Sequence, residues 1–193
     1  MLPIINHPDY VAQIGDDHKF PIKKFGELFK LLKNDRIIGE KNLHIPGPAS
    51  LEDGTAKIFE NDENVFTLSI HSKKNYPLNK QLSNLDIELD EGIKDDEYLK
   101  IVFNALEEMN KKKFDYVFYV AGVDVHEDDR IGKFKISTEG IKRREELVIH
   151  NFYKKRVPLC GVLGGGYNKD FNQLVYLHSI LHRTCHNLLH YEN

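Results

Sequence analysis

The sequence contains only two cysteines and no hydrophobic run long enough to cross a bilayer. Cys160 and Cys185 have neither the number nor the spacing of a disulfide framework or of a zinc site built from cysteine pairs. A transmembrane helix needs about 20 consecutive apolar residues, which no segment provides. The segment from Met1 to Pro8 lacks the basic region and apolar core of a signal peptide. We therefore expect a protein of the reducing cytoplasm without a membrane partner.

The chain also lacks a basic excess, since 27 Lys and Arg face 30 Asp and Glu and the formal net charge is -3. Domains that bind nucleic acids usually carry such an excess, so we expect no nucleic-acid partner. Short basic clusters occur at the ends of predicted helices, where they are solvated or complement the helix dipole. The 193 residues, 40% of them hydrophobic, suffice for one domain with a sizeable core.

Apolar strands and amphipathic helices are predicted to alternate along the chain. A helix ending near Asn34 is followed by a loop over 39–54. Strands are predicted over 64–71, 116–122 and 157–163, and helices over 95–112, 138–155 and 170–190. Because the strands are apolar throughout, we expect them to be buried on both faces, as in a parallel sheet covered by helices. The pattern predicts an α/β protein with three layers, α/β/α, around a mainly parallel sheet.

Three short segments lie where predicted strands end, which is where parallel sheets bind ligands. They are Ser69-Ile-His71, Gly122-Val-Asp124 and Gly164-Gly-Gly-Tyr167. A carboxylate such as Asp124 can ligate a metal or act as a base, although Asp is also common in turns. The glycines allow a ligand to approach the backbone, and the Tyr167 hydroxyl could donate to an oxyanion. The alternative is a flexible linker in which Tyr167 only packs.

These segments belong to a larger set of motifs that occur in order along two blocks of the sequence. In block 1–51 the motifs are His7-Pro-Asp-Tyr10, His18-Lys-Phe-Pro-Ile-Lys23 and the segment 46–51. In block 54–193 they are Gly54-Thr-Ala-Lys-Ile-Phe59, Val65-Phe-Thr-Leu-Ser-Ile-His71, Lys74-Asn-Tyr-Pro77, Asp95-Asp-Glu-Tyr-Leu99, Ala121-Gly-Val-Asp124, Asp129-Arg-Ile-Gly132, Thr138-Glu-Gly-Ile141 with Arg144, and Gly164-Gly-Gly-Tyr167. With this order the chain resembles the histone deacetylase superfamily, including its bacterial acetoin-utilisation and acetylpolyamine amidohydrolase relatives. The resemblance implies a single domain over 1–193 with the fold of arginases and deacetylases.

The resemblance also implies roles for individual residues. In this family two Asp and one His hold a zinc ion, a His pair transfers protons, and a Tyr stabilises the oxyanion formed from an acetyl-lysine carbonyl. Asp124 corresponds to one zinc ligand and Tyr167 to the Tyr, with Gly165 and Gly166 beside the substrate. Ser69 and Ile70 correspond to part of a site for a monovalent cation such as K⁺. The carbonyls of Phe59, Asp62 and Val65 correspond to part of a second one.

The chain departs from the family between its two blocks. The family's His-His motif, its Gly-Phe-Cys loop and the strand ending in Asp-x-Asp-Val-His belong there, but the blocks meet at Ser50-Leu-Glu-Asp-Gly-Thr55. The two other zinc ligands would fall at Pro48 and Ser50, whose side chains cannot replace an Asp and a His. The apparent internal deletion is about a hundred residues, the size of a small domain. The resemblance therefore implies a fold that lacks part of its central region.

Four histidines form a separate pattern near the carboxyl terminus. His178, His182, His186 and His190 are each four residues apart on the last predicted helix, and such pairs can ligate a transition metal. The alternative is that His178 is a core residue and the others are partly solvated. His126, two residues after Asp124, is expected to be a loop residue.

Three functions follow from these observations. The first is a zinc-dependent hydrolase of N-acetyl amides such as acetyl-lysine or a small acetylated amine, impaired or inactive because most of its site is missing. The second is a non-catalytic remnant or binding module of the deacetylase fold. The third is a metal-binding scaffold that uses the carboxyl-terminal histidines. Loss of an inner strand would expose sheet edges, so we also predict self-association through those edges.

Overall fold

The computed structural model describes residues 4–5, 21–38, 43–44, 55–74 and 81–191. The motifs predicted over 7–10, 46–51 and 75–77 lie outside these residues, as do Pro48 and Ser50. Strands and helices alternate along the described chain as the sequence predicts, except that two strands follow each other over 68–72 and 85–89. The elements are β1 Ile4–Ile5, α1 Lys24–Asn34, β2 Leu43–His44, α2 Thr55–Ile58, β3 Leu68–Ser72, β4 Leu85–Leu89, α3 Asp95–Met109, β5 Val117–Ala121, α4 Thr138–Lys154, β6 Leu159–Leu163 and α5 Phe171–Tyr191.

The strands pair in parallel, β1 with β2, β3 with β4 and β5 with β6. The α/β class with parallel strands is therefore confirmed. Sequence reasoning did not predict β4, in which apolar and acidic residues alternate, a pattern typical of a half-buried strand. Strand β6 begins at Leu159, two residues later than the predicted strand.

The starts of α3 and α4 are joined by one carboxylate. Ser137 is the N-cap of α4, and its hydroxyl accepts a hydrogen bond from the amide of Gly140 at 3.0 Å. The Asp95 carboxylate in the first turn of α3 accepts from both the amide and the hydroxyl of Ser137. Gly140 lies against this carboxylate, since a Cβ there would be 2.3 Å from Oδ1 of Asp95. These contacts fix the two helices side by side.

The main core lies between helices α3, α4 and α5 and the strands. Its fully buried members include Ile136, Ile141 and Leu174. A second cluster joins α1 to α5 through Leu28, Leu32 and Val175. Helix α5 thus contacts both α1 and the β5–β6 pair. Its contact with α1 positions α1 near the carboxyl end of β6.

The prediction that the strands are buried on both faces is wrong for β5. Val117 and Ala121 face the core, whereas Phe118 and Val120 on the opposite face are 73% and 57% exposed. Tyr116, which precedes the strand, is also exposed. Apolar side chains on both faces of a strand predict a covered strand, but the described helices cover only one side of this sheet. The uncovered side forms an exposed apolar face on β5.

Candidate functional site

The carboxyl ends of β5 and β6 place two of the predicted segments side by side. Ala121 pairs with Leu163 at the end of the two strands, and the amide of Val123 then donates to the carbonyl of Gly165 at 2.7 Å. The backbones continue so close together that a Cβ on Gly164 would be 2.8 Å from the Cα of Gly122. The sequence predicts that Asp124 and the glycine loop 164–166 meet if their strands are neighbours, and the structure brings them together.

The Asp124 carboxylate is packed against glycine backbone. A Cβ on Gly165 would be 2.2 Å from its Oδ2, and a Cβ on Gly122 would be 2.9 Å from its Oδ1. Burial raises the pKa of the Asp124 carboxyl above its ordinary value of 3.8, and the charge of Asp129 raises it further. The cations Arg144 and Lys24 oppose this rise. Asp124 is thus a desolvated acid beside a second acid, with two cations within electrostatic reach.

Asp129 ties the Asp124 loop to the glycine loop. Its Oδ1 accepts from the amides of Ile131 and Gly132 at 2.8 Å each, and its Oδ2 accepts from the amide of Tyr167 at 2.6 Å. The guanidinium of Arg130 donates to the carbonyl of Tyr167 at 2.7 Å. The backbone of Tyr167 is therefore fixed on both sides by the loop that follows Asp124.

The Tyr167 phenol is half-buried near these acids. Burial raises its pKa above 10.0, and the charges of Asp124 and Asp129 raise it further. The hydroxyl therefore keeps its proton at neutral pH and can donate a hydrogen bond. This is the state that stabilisation of an oxyanion requires.

Two cations bind the carbonyls of this site, Lys24, which the sequence analysis did not single out, and Arg144, which it named in a motif without a role. Lys24, at the start of α1, is fully buried, and its Nζ donates to the carbonyl of Gly164 at 2.9 Å. Burial lowers the pKa of Lys24 from 10.5 to about 8, against the opposing effect of Asp124 and Asp129. The available signal was its spacing, because Lys24 occupies the same helix stripe as the buried Leu28 and Leu32.

Arg144 is the second cation, on the core face of α4. Its Nη1 donates to the carbonyl of Gly122 at 2.7 Å, and its Nη2 forms an ion pair with Oε1 of Glu145 at 2.5 Å. The Arg144 and Glu145 side chains are 6% and 1% exposed. Arg144 thus binds the backbone carbonyl that directly follows β5. His178 of α5 is also buried, and its ring nitrogens have no hydrogen bond among the described residues.

The third predicted segment lies on a different strand pair. Ser69 is within β3, and its hydroxyl lies 2.8 Å from Nδ1 of His71, while Ile70 packs against the main core. Nε2 of His71 lies 3.8 Å from a carboxylate oxygen of Glu88 on β4. No hydrogen bond joins Ser69 to Asp124 or Tyr167 within the described ranges. The monovalent-cation roles of Ser69 and Ile70 stay predictions.

The loop before β3 contains the residues predicted for the second cation. The carbonyls of Phe59 and Asp62 accept turn hydrogen bonds from the amides of Asp62 and Val65, each at 3.1 Å. His126 is buried in the Asp124 loop and lies 3.2 Å from the Thr138 hydroxyl. It is thus a loop residue, as predicted.

The residues that the structure describes do not suit a catalytic zinc ion. Such an ion takes three protein ligands and leaves one position open. No group of three His, Cys, Asp or Glu side chains that could hold a metal occurs in the described part of the chain. Of the acids near the rim, Asp129 already accepts three backbone hydrogen bonds. Within the described residues, Asp124 therefore lacks the two further ligands that a catalytic zinc site needs.

No helix within residues 21–38, 55–74 and 81–191 combines the length and the apolar character of a membrane span.

Comparisons with known proteins agree with the resemblance seen in the motifs. Residues 52–181 match the histone deacetylase domain. An uncharacterized protein of Picosynechococcus sp. is 42% identical over 182 residues, which are 89% of this chain and 60% of that protein. Histone deacetylase 2 of Arabidopsis thaliana is 30% identical over 118 residues, 59% of this chain and 30% of that protein.

A solved structure shows the same fold. The crystal structure of an HDAC homolog complexed with SAHA aligns with a TM-score of 0.58 and 21% identity, covering 70% of this chain and 38% of that one. The chain spans 60% or less of the length of these curated relatives. The profile match covers most of the sequence and includes Asp124 and Tyr167. The chain belongs to the histone deacetylase domain family.

Proposed function

We propose that this chain is a deacetylase-family domain that keeps one side of a site for N-acetyl amides, such as acetyl-lysine, but does not hydrolyse them by itself. The observation that carries the proposal is the isolation of Asp124. By the resemblance Asp124 corresponds to a metal ligand after β5, yet the described residues contain no group of three side chains that could hold a metal. Members of this family generally depend on zinc, so an incomplete ligand set implies impaired turnover.

The retained side of the site has the chemistry that an amide substrate requires. The protonated Tyr167 phenol is a hydrogen-bond donor for a carbonyl or oxyanion, and its backbone is fixed by Asp129 and Arg130. Gly165 and Gly166 correspond to substrate-lining residues by the resemblance, but the space where their Cβ atoms would be is filled by Asp124 and by Val123, His178 and Leu174. The phenol can bind and orient a carbonyl. His178, whose Nε2 would be 2.9 Å from a Cβ on Gly166, is a single buried imidazole and does not replace the proton-transferring His pair of the family.

A second candidate is a non-catalytic binding module, and the exposed apolar face of β5 favours it. Phe118 and Val120 are strongly exposed on the side of the sheet away from the core. A contiguous patch of exposed apolar side chains is typical of a surface that binds another molecule. A module of this kind would bind through β5 and need no turnover.

Zinc content and turnover of an acetyl-lysine reporter test the first proposal. We expect substoichiometric zinc at Asp124 and no turnover that a chelator abolishes. Asp124→Ala and Tyr167→Phe should then leave the background rate unchanged, as should the control Tyr153→Phe on the exposed end of α4. Chelator-sensitive turnover that Asp124→Ala and Tyr167→Phe abolish, while Tyr153→Phe retains it, would show a complete site and overturn the proposal.

A further inference from the structure

The last turns of α5 place two imidazoles side by side. His186 and His190 are four residues apart, and their ring centroids are separated by 4.3 Å with the planes tilted by 50°. Residues at this spacing lie one above the other on a helix face. The two rings thus lie next to each other on the helix surface, and a rotation of the side chains is enough to direct one nitrogen of each ring at a single ion, with bonds of about 2.0–2.1 Å.

Both rings are accessible to a ligand on the last turns of α5. Neither imidazole forms a hydrogen bond or an ion pair within the described residues, where the two rings contact each other. Neutral imidazole is the form that coordinates metal ions.

The position on the helix also favours a cation. His186 and His190 lie in the last two turns of α5, which ends at Tyr191. The carboxyl end of a helix carries partial negative charge from its unpaired carbonyls, and this charge attracts cations. Burial of Leu188 between the two histidines fixes the helix face that they occupy.

We propose that His186 and His190 form a two-imidazole site for a divalent transition-metal ion of the nickel, copper and zinc class. Imidazole suits these metals, and it does not suit Mg²⁺ or Ca²⁺, which prefer oxygen ligands. No third side-chain ligand lies close enough in the part of the chain described by the structure. Water or a group from another molecule therefore completes the coordination, and the bound ion is exchangeable.

This site is separate from the Asp124 site and does not rest on the proposed function. It nevertheless affects how zinc content is interpreted, because an ion on α5 would add zinc to a chain whose Asp124 site is empty. A zinc measurement on the unaltered chain alone would not distinguish zinc bound at Asp124 from zinc bound on α5. Variants at each of the two sites show which one binds the ion.

Titration of the full chain with ZnCl₂ or NiCl₂ slightly above neutral pH, followed by calorimetry, tests the proposal. We expect one ion per chain. His190→Ala should weaken its binding by roughly 100-fold, the lower limit of the affinity gain that two linked contacts give over one. The double variant Asn187→His with His190→Asn keeps both imidazoles but moves them to adjacent positions, which do not face each other on a helix. It should bind as weakly as His190→Ala.

His150→Ala, on α4, is the matched control and should bind like the unaltered chain. Asp124→Ala should also leave this stoichiometry unchanged, which separates the result from that of the acetyl-lysine assay. The proposal is overturned if the chain binds no ion, or if the displaced-histidine variant binds as tightly as the unaltered chain. It is also overturned if His150→Ala weakens binding as much as His190→Ala. Far-ultraviolet circular dichroism confirms that each variant keeps its helices.

Discussion

The contact between Gly165 and the Asp124 carboxylate predicts a destabilising substitution with a specific rescue. A Cβ at residue 165 would lie 2.2 Å from Oδ2 and 2.5 Å from Cγ of Asp124, where real Cβ contacts are essentially never below 3.0 Å. In Gly165→Ala the carboxylate must therefore move by about 1 Å, an overpacking that typically costs about 1–3 kcal/mol. Gly122 lies on the other side of the carboxylate, where a Cβ at residue 122 would be 2.9 Å from Oδ1.

The lower entropy of the unfolded Ala chain offsets about 0.4–1 kcal/mol of this cost. We expect Gly165→Ala to lower the free energy of unfolding by about 1–2 kcal/mol, and the Tm by roughly 3–6 °C for a chain of this size. Urea unfolding followed by circular dichroism measures the difference. Gly26→Ala is the control, since a Cβ at this exposed position of α1 meets nothing within 4 Å. It should stabilise by up to about 1 kcal/mol through helix propensity.

A second substitution tests whether the Asp124 carboxylate causes the cost of Gly165→Ala. Asp124→Ala removes the three atoms that the new Cβ would touch, so in that background Gly165→Ala should be neutral or slightly stabilising. The two substitutions should thus be coupled by about 1–3 kcal/mol in a double-mutant cycle. An equal cost of Gly165→Ala in both backgrounds would show that the carboxylate does not occupy the space in front of Gly165.

Four further predictions follow from buried or exposed groups. Burial lowers the pKa of His178 well below 6.5, so the unfolded chain binds a proton at a higher pH than the folded chain does. The free energy of unfolding should therefore fall as the pH drops below 6.5. His178→Leu should flatten this dependence in urea titrations. The pKa of Lys24 is lowered to about 8, so the unaltered chain should gain stability relative to Lys24→Met as the pH rises from 8 towards 10.5. Arg144→Met leaves Glu145 buried without its partner and should cost about 3–5 kcal/mol of unfolding free energy, whereas an exposed substitution such as Arg143→Met should cost little. Phe118→Lys should reduce any association seen in sedimentation velocity, and unchanged association would show that contact is made elsewhere.

The sequence predicted that Asp124 and the glycine loop meet if their strands are neighbours, and the pairing of β5 with β6 meets that condition. Both follow apolar strands, and parallel strands bring their carboxyl ends to one edge. The helices were equally predictable, because their apolar stripes and the Ser137 cap are local features. These predictions succeeded because periodicity within about twenty residues determined them.

Lys24 could not be assigned to the site from local pattern. Its Nζ contacts the carbonyl of Gly164, 140 positions later in the chain, through the packing of α1 on α5. For β5, in contrast, the local pattern was clear but led to a wrong prediction of burial. Phe118 and Val120 have the composition of a covered strand, and the composition of a strand does not reveal which neighbouring element covers it.

The contacts of the rim give its motifs a structural role that does not depend on turnover. Asp124 fills the space between two glycines, and Asp129 accepts three backbone amides that shape the loops. Loss of either would leave gaps or unpaired amides, which cost stability in an active or an inactive protein. The Tyr167 hydroxyl differs, because Tyr167→Phe removes a donor and leaves the backbone contacts of the loop in place. A selective loss of turnover in that variant, at unchanged stability, would therefore be the specific sign of catalysis, whereas the glycine and carboxylate motifs report the fold.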